Sequence, residues 1–267
     1  MRNFVLASAF IFGVMGVASA QEFSGINADL VATTSLSSKR FDDLGFDSQI
    51  GVPIYNNIRD TFAGVAPSGG AALQSGNTIT KLLADDIVPV GAGGIVEFWF
   101  TVGNLNSVAV SARPRVRFYA DNAGAPGTLL GGITYNPIAF TANSANVYFT
   151  SIANVFGTPL FNAAGPIWAG ITFDNNVGGT GATAAQLDNL GQLVMNPPTV
   201  GTSADQVFLT TAAGSNFVSS PAGATFNYGG NPRANLGWKF NVVPEPGTML
   251  ALAAGLGALL ARRRKKA

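Results

Sequence analysis

The sequence predicts an all-β body, an antiparallel β-sandwich or jelly roll, flanked by an N-terminal signal helix and a C-terminal hydrophobic helix. Three observations point there. Short apolar or alternating segments recur between clusters of Gly, Asn, Pro and Ser, the punctuation of strands and turns. Between Gln21 and Val243 no segment keeps an apolar helical period for three turns without a Gly or Pro. The stretch RPRVRFY, Arg113 to Tyr119, alternates, with Arg113, Arg115 and Arg117 on one face and Val116 and Phe118 on the other.

The chain opens MRNFVLASAFIFGVMGVASA, with one cation, Arg2, ahead of an apolar run from Phe4 to about Val17. Ala18 and Ala20 supply the small residues a signal peptidase accepts, so residues 1–20 are read as a signal peptide and the mature chain starts at Gln21. Strands are then expected in order. IVEFWFTV from Ile95 is apolar on both faces except for Glu97 and Thr101, as suits a buried strand. RPRVRFY follows, then a loop from Asp121 to Gly127, then a returning TLLGGIT from Thr128. NVYFTS from Asn146, IWAGITF from Ile167, GQLVM from Gly191, QVFLTT from Gln206 and LGWKFNVV from Leu236 read the same way. Gly and Pro are spread along residues 21–243 with no linker, which makes that span one extracellular domain.

Residues 244–267 are different. Pro244, Glu245 and Pro246 hold an extended, charged segment. Met249 to Ala261 is apolar throughout. As a helix it would reach roughly 20 Å, short of a hydrocarbon core of about 30 Å. Arg262, Arg263, Arg264, Lys265 and Lys266 then form a membrane stop, held on the cytoplasmic side by the positive-inside rule.

This order of Pro-Glu-Pro, short apolar run and basic cluster resembles the PEP-CTERM sorting signal. The resemblance implies that an exosortase, a membrane cysteine protease of Gram-negative bacteria that make exopolysaccharide, recognises Pro244-Glu245-Pro246 and removes the tail. It implies transient inner-membrane anchoring, followed by delivery to the cell surface or extracellular matrix, as in a biofilm. The stretches LLADDIVPVGAGGIVEFWFTV and RVRFYADNAGAPGTLLGG also resemble a β-sandwich module of secreted PEP-CTERM proteins.

The formal net charge is +1, but the body carries nine cations against 13 carboxylates, which leaves −4. Such a body has no electrostatic reason to seek nucleic acid. With no Cys and no His, disulfides, Cys nucleophiles, Ser-His-Asp triads and ordinary zinc sites are excluded.

Candidate chemistry is therefore confined to carboxylates, hydroxyls, Lys, Tyr and Arg. Asp42-Asp43 and Asp85-Asp86 are adjacent pairs whose members would face opposite ways on a strand, or cap turns. Asp121-Asn122 and Asp174-Asn175-Asn176 are oxygen-rich loops that could be Asx turns or hold a structural calcium. Arg113, Arg115 and Arg117 would stand about 6–7 Å apart, placed for anionic groups of an acidic glycan or for acidic neighbours across the sheet. Trp99, Trp168 and Trp238 sit in strongly apolar strands and are read as core, with sugar stacking as the other reading.

The expected function is that of an exported structural or adhesive protein without enzymatic activity or cofactor. A lectin-like exopolysaccharide-binding module is the alternative, and an Asp/Glu-dependent glycan hydrolase comes third. Expected partners are signal peptidase, the exosortase-type protease, the membrane before processing, and exopolysaccharide. N-terminal sequencing of exported protein should begin at Gln21; a first residue of Met1 would refute the cleavage.

Overall fold

The computed structural model describes residues 20–41, 51–74, 76–152, 159–176, 181–214, 217–227, 230 and 234–243. Strands β1 (Gln21–Ile26), β2 (Asp29–Ser35), β3 (Val52–Asn56), β4 (Phe62–Pro67), β5 (Ala72–Gln74) and β6 (Asn77–Ile79) open the body. The middle holds β7 (Leu83–Ile87), β8 (Gly93–Asn104), β9 (Val110–Asp121), β10 (Pro126–Tyr135), β11 (Ile138–Phe140) and β12 (Ser144–Ser151). Then come β13 (Asn162–Ala163), β14 (Ile167–Asp174), helix α1 (Ala184–Asp188), β15 (Leu190–Met195) and β16 (Val207–Thr210). The body closes with β17 (Gly223–Phe226), β18 (Asn235–Leu236) and β19 (Trp238–Val243). The expected signal helix, the expected C-terminal helix and the Asp42-Asp43 pair lie outside the described residues.

Two sheets carry the fold, as the strand pattern predicts. The first follows the order β1-β10-β9-β14-β7-β16-β17, with β5, β6 and β11 attached. The second runs β2-β12-β8 and then divides along the length of β8. Its first half pairs with β19, which pairs onward with β3, and its end pairs with β15, which pairs onward with β4 and β18. One pairing departs from the antiparallel expectation: β1 runs parallel to β10, from Gln21↔Gly131 to Ile26↔Tyr135. The reason is a crossing between sheets. Only Asn27 and Ala28 separate β1, on the first sheet's edge, from β2, on the second's. Asn136 secures that step, its backbone N–H donating to the Ile26 carbonyl at 2.8 Å and its side chain to Asn27 Oδ1 at 2.8 Å.

Alternation along the strands places the core between the sheets. Val116 and Phe118 of β9 face Phe98 and Phe100 of β8 and Trp238 and Phe240 of β19 in one cluster. The Phe98 and Phe118 rings meet edge to face at 5.3 Å, and Phe118 meets Phe240 the same way at 5.7 Å, a favoured aromatic geometry. The outer faces are covered too. Trp99 packs with Phe41, Phe62, Leu193 and Met195 outside the second sheet, and Trp168 with Tyr119, Leu129 and Phe208 outside the first. That double covering explains why all twelve residues of β8 are buried.

Helix α1 had no expectation in the sequence reading. It forms because Thr183 and Gln186 make a reciprocal capping box, the Thr183 hydroxyl accepting from the Gln186 N–H and the Gln186 side chain from the Thr183 N–H. Truncating the central ring by Phe118→Ala should destabilise the body by about 3–5 kcal/mol, whereas Leu73→Ala, at an exposed position, should change stability by less than about 0.5 kcal/mol. Urea unfolding of the two variants checks the contrast.

Candidate functional site: the tail exit and the buried polar groups

Residues 244–267 follow β19 in the sequence. This strand is paired on both sides, Lys239 to Val242 with Asn56 to Val52 of β3, and Trp238 to Val243 with Phe100 to Gly94 of β8. Its start is fixed by Asn57, whose Oδ1 accepts from the Trp238 N–H at 2.8 Å and whose Nδ2 donates to the Leu236 carbonyl at 2.6 Å. Asn241 Nδ2 donates to Glu97 Oε2 at 2.9 Å, and the Lys239 ammonium lies 3.9 Å from the centre of the Trp99 ring. Exposure returns only at Val243, which is 44% exposed. No spacer therefore separates the core from Pro244.

Gly93 makes the exit possible. Its φ is +155°, and a Cβ there would lie 2.9 Å from the Val243 carbonyl oxygen and 3.0 Å from Val242 Cβ. Backbone meets backbone at this point, so a side chain would displace the root of the tail. Pro244, Glu245 and Pro246, with Arg262 to Lys266, lie outside the described residues, as does Ala18. Ala20 is described and packs beside the cluster of Tyr119, Leu129 and Trp168.

The Asp85-Asp86 pair faces opposite ways, as alternation requires, yet both carboxylates reach Ser203. Its Oγ is 3.3 Å from Asp85 Oδ1 and 3.3 Å from Asp86 Oδ1. Asp85 crosses between the sheets, its Oδ2 accepting from the Leu236 N–H at 2.8 Å. Asp86 Oδ2 accepts from the Ala204 N–H at 2.8 Å. Burial, then the neighbouring Asp86 carboxylate, pushes the Asp85 carboxyl well above the usual range. Burial likewise raises Asp86, and burial with nearby Asp85 raises the Tyr55 hydroxyl. Asp85 has no exposed surface and ties one sheet to the other.

The loop oxygens considered for calcium are engaged by the chain. Asp121 Oδ1 accepts from Trp168 Nε1 at 2.8 Å and from the Gly124 N–H at 3.2 Å. Asp174 Oδ1 accepts from the Asn176 N–H at 3.0 Å, and Asn175 Oδ1 from the Thr78 N–H at 2.9 Å. Among the described residues no three acidic side chains gather as a metal site. Trp99, Trp168 and Trp238 are all buried, so none offers a face to a sugar.

The arginines share one outer face of the first sheet, but they are not an open row. Arg115 is 8% exposed and Arg117 is 0% exposed. Arg115 pairs through Nε with Asp174 on the neighbouring β14, and Arg113 Nε lies 3.7 Å from the same carboxylate. Arg117 Nη1 donates to Thr172 Oγ1 at 2.7 Å, under the Phe217 ring at 4.6 Å. The three guanidiniums therefore do not stand as one exposed row: strand spacing aligns them, and an acidic neighbour and an aromatic cover bury two of them. The cover comes from a hundred residues away, a distance at which the sequence gives no signal.

β19 is the last described strand of a two-sheet body, and Pro244-Glu245-Pro246 follow it in the sequence. The comparison with protein families agrees: residues 242–265 match the model of the PEP-CTERM protein-sorting motif. That motif marks an exported protein sorted by an exosortase, itself a membrane protein. The match begins at Val242, inside β19. No curated protein and no solved structure matches the chain.

The raised Asp85 carboxyl gives a pH dependence with a fixed sign. Its contribution to stability is fully present below the unfolded value of about 3.9 and is lost as pH rises through the higher folded value. Denaturant midpoints measured from about pH 4 upward should fall more steeply for wild type than for Asp85→Asn, which keeps the acceptor for Leu236. Parallel pH profiles would remove Asp85 as the cause.

Proposed function

We propose that the mature protein is a structural or adhesive component of the cell surface or exopolysaccharide matrix of a Gram-negative bacterium. Signal peptidase releases it after Ala20. Its tail then holds it transiently in the inner membrane until an exosortase-type protease reads Pro244, Glu245 and Pro246. The observation that carries this reading is the position of the motif immediately after a doubly paired core strand.

Two physical arguments support it. Cleavage beyond Val243 leaves every described strand whole, so processing and folding do not compete. The apolar run Met249 to Ala261 is also about 10 Å short of a hydrocarbon core, which suits a temporary stop better than a lasting anchor. Within the body, the carboxylates of Asp85, Asp121 and Asp174 are committed to holding the fold, which favours a structural role over glycan hydrolysis.

Replacing Pro244-Glu245-Pro246 with three alanines should leave export intact and trap the full-length chain in the membrane. Mass spectrometry of membrane and exported fractions reads the result. Exported wild-type protein still carrying Met249 to Ala267, or identical fractions for wild type and variant, would end the processing hypothesis.

A further inference from the structure

The outer face of β9 holds a cation whose best hydrogen-bonding edge is unused. Arg117 donates only through Nη1, to Thr172. Its Nε and Nη2, the pair that grips a carboxylate side-on, have no partner despite full burial. Two positions along the same face, the buried Tyr119 hydroxyl also has no partner. Burial lowers the Arg117 guanidinium to about 10, so it stays charged at neutral pH, with the Asp174 carboxylate engaged by Arg115 and Arg113.

The Phe217 ring lies against this cation. Phe217 stacks on the guanidinium and lies over Gly132, where a Cβ would come within 2.0 Å of the ring. Phe217 holds φ at +42°, a left-handed conformation uncommon for an aromatic residue. The neighbouring positions on this face carry hydroxyls: Thr134 and Thr172 are paired with Arg115 from either side, and Ser24 with Thr134.

We propose that Arg117 and Tyr119 form a seat for one carboxylate, that of a terminal uronate of an acidic sugar chain, which enters by displacing Phe217. The carboxylate takes Nε–H and Nη2–H side-on and the Tyr119 O–H as a third donor. The ring hydroxyls of the sugar meet the threonine and serine hydroxyls, and Phe217 packs on the sugar's apolar face. A single buried charge replaces the open arginine row as the element that reads an anionic glycan. The choice of a sugar rests on the matrix role proposed above; the carboxylate seat does not.

The test is a proton–nitrogen NMR titration of the mature exported protein with sodium galacturonate, read at the Arg117 Nε–H. The resonance should move saturably, and neutral galactose should leave it in place. Phe217→Ala should tighten binding severalfold and Tyr119→Phe should weaken it severalfold. Arg117→Lys keeps the charge but loses the fork, and should abolish the response with the backbone amide spectrum still that of a folded protein; should that variant not fold, Tyr119→Phe carries the comparison. A resonance unmoved by galacturonate in both wild type and Phe217→Ala overturns the seat, as does equal movement by galactose. Equal movement by sulfate overturns its assignment to carboxylate. Because the titration uses a free monosaccharide, its failure leaves surface sorting untouched, and a failure of sorting leaves the titration readable.

Discussion

The pairing of β19 with β8 is the constraint on which the rest depends. β8 is the longest strand of the second sheet together with a neighbour on each side, and β19 fills the place between it and β3. Trp238 and Phe240 enter the inter-sheet cluster from this one strand. Without β19, Phe98 and Phe118 lose Phe240, which sits at 6.3 Å from the first ring and 5.7 Å from the second. With no cysteine in the chain, no cross-link can substitute for that packing. The residues that complete the core are therefore among the last to be delivered before the tail. The core is therefore complete only once the chain up to Val243 is in place.

Much of the body was legible because burial leaves a periodic trace. Ile95 to Val102 reads apolar on both faces, and β8 is covered on both faces. Arg113 to Tyr119 alternates, and β9 presents Val116 and Phe118 to the core with Arg115 and Arg117 opposite. The short strands β5, β11, β13 and β17 left no such trace, since two to four residues carry no measurable period. Helix α1 did leave a trace, the spacing of Thr183 and Gln186, but a five-residue helix is too short to show an apolar stripe. The parallel β1–β10 pair depends on which sheet each strand joins, and local alternation is blind to that.

The polar groups divide along the same line. Sequence spacing correctly aligned the three arginines and set Asp85 and Asp86 on opposite faces. It gave no hint that Ser203 would meet both carboxylates, that Leu236 would donate to Asp85 from the other sheet, or that Phe217 would close over Arg117. Each of these partners lies a hundred residues or more from its target, so the information resides in topology. Burial then reverses the expected meaning: charges that look like surface chemistry in the sequence become ties within the fold, Arg115 to Asp174 between neighbouring strands of one sheet and Asp85 from one sheet to the other.

That covering also decides where specificity can reside. In an open sandwich the outer faces of the sheets meet solvent, and recognition is a matter of which side chains alternate outward. Here the outward residues of β8 and β12 share a buried cluster with Phe41 and with Phe62 of β4, and those of β9 and β14 share one with Phe208 of β16, against which Phe217 packs. The outer faces are thus covered by side chains of the sheets' own strands together with a few loop residues such as Phe41 and Phe217, and the Arg117 guanidinium is buried against one of these. At the C-terminus the buried, doubly paired β19 ends at Val243 and Pro244 follows one residue later, so the last described core strand and the Pro-Glu-Pro of the sorting motif adjoin without a spacer in the sequence.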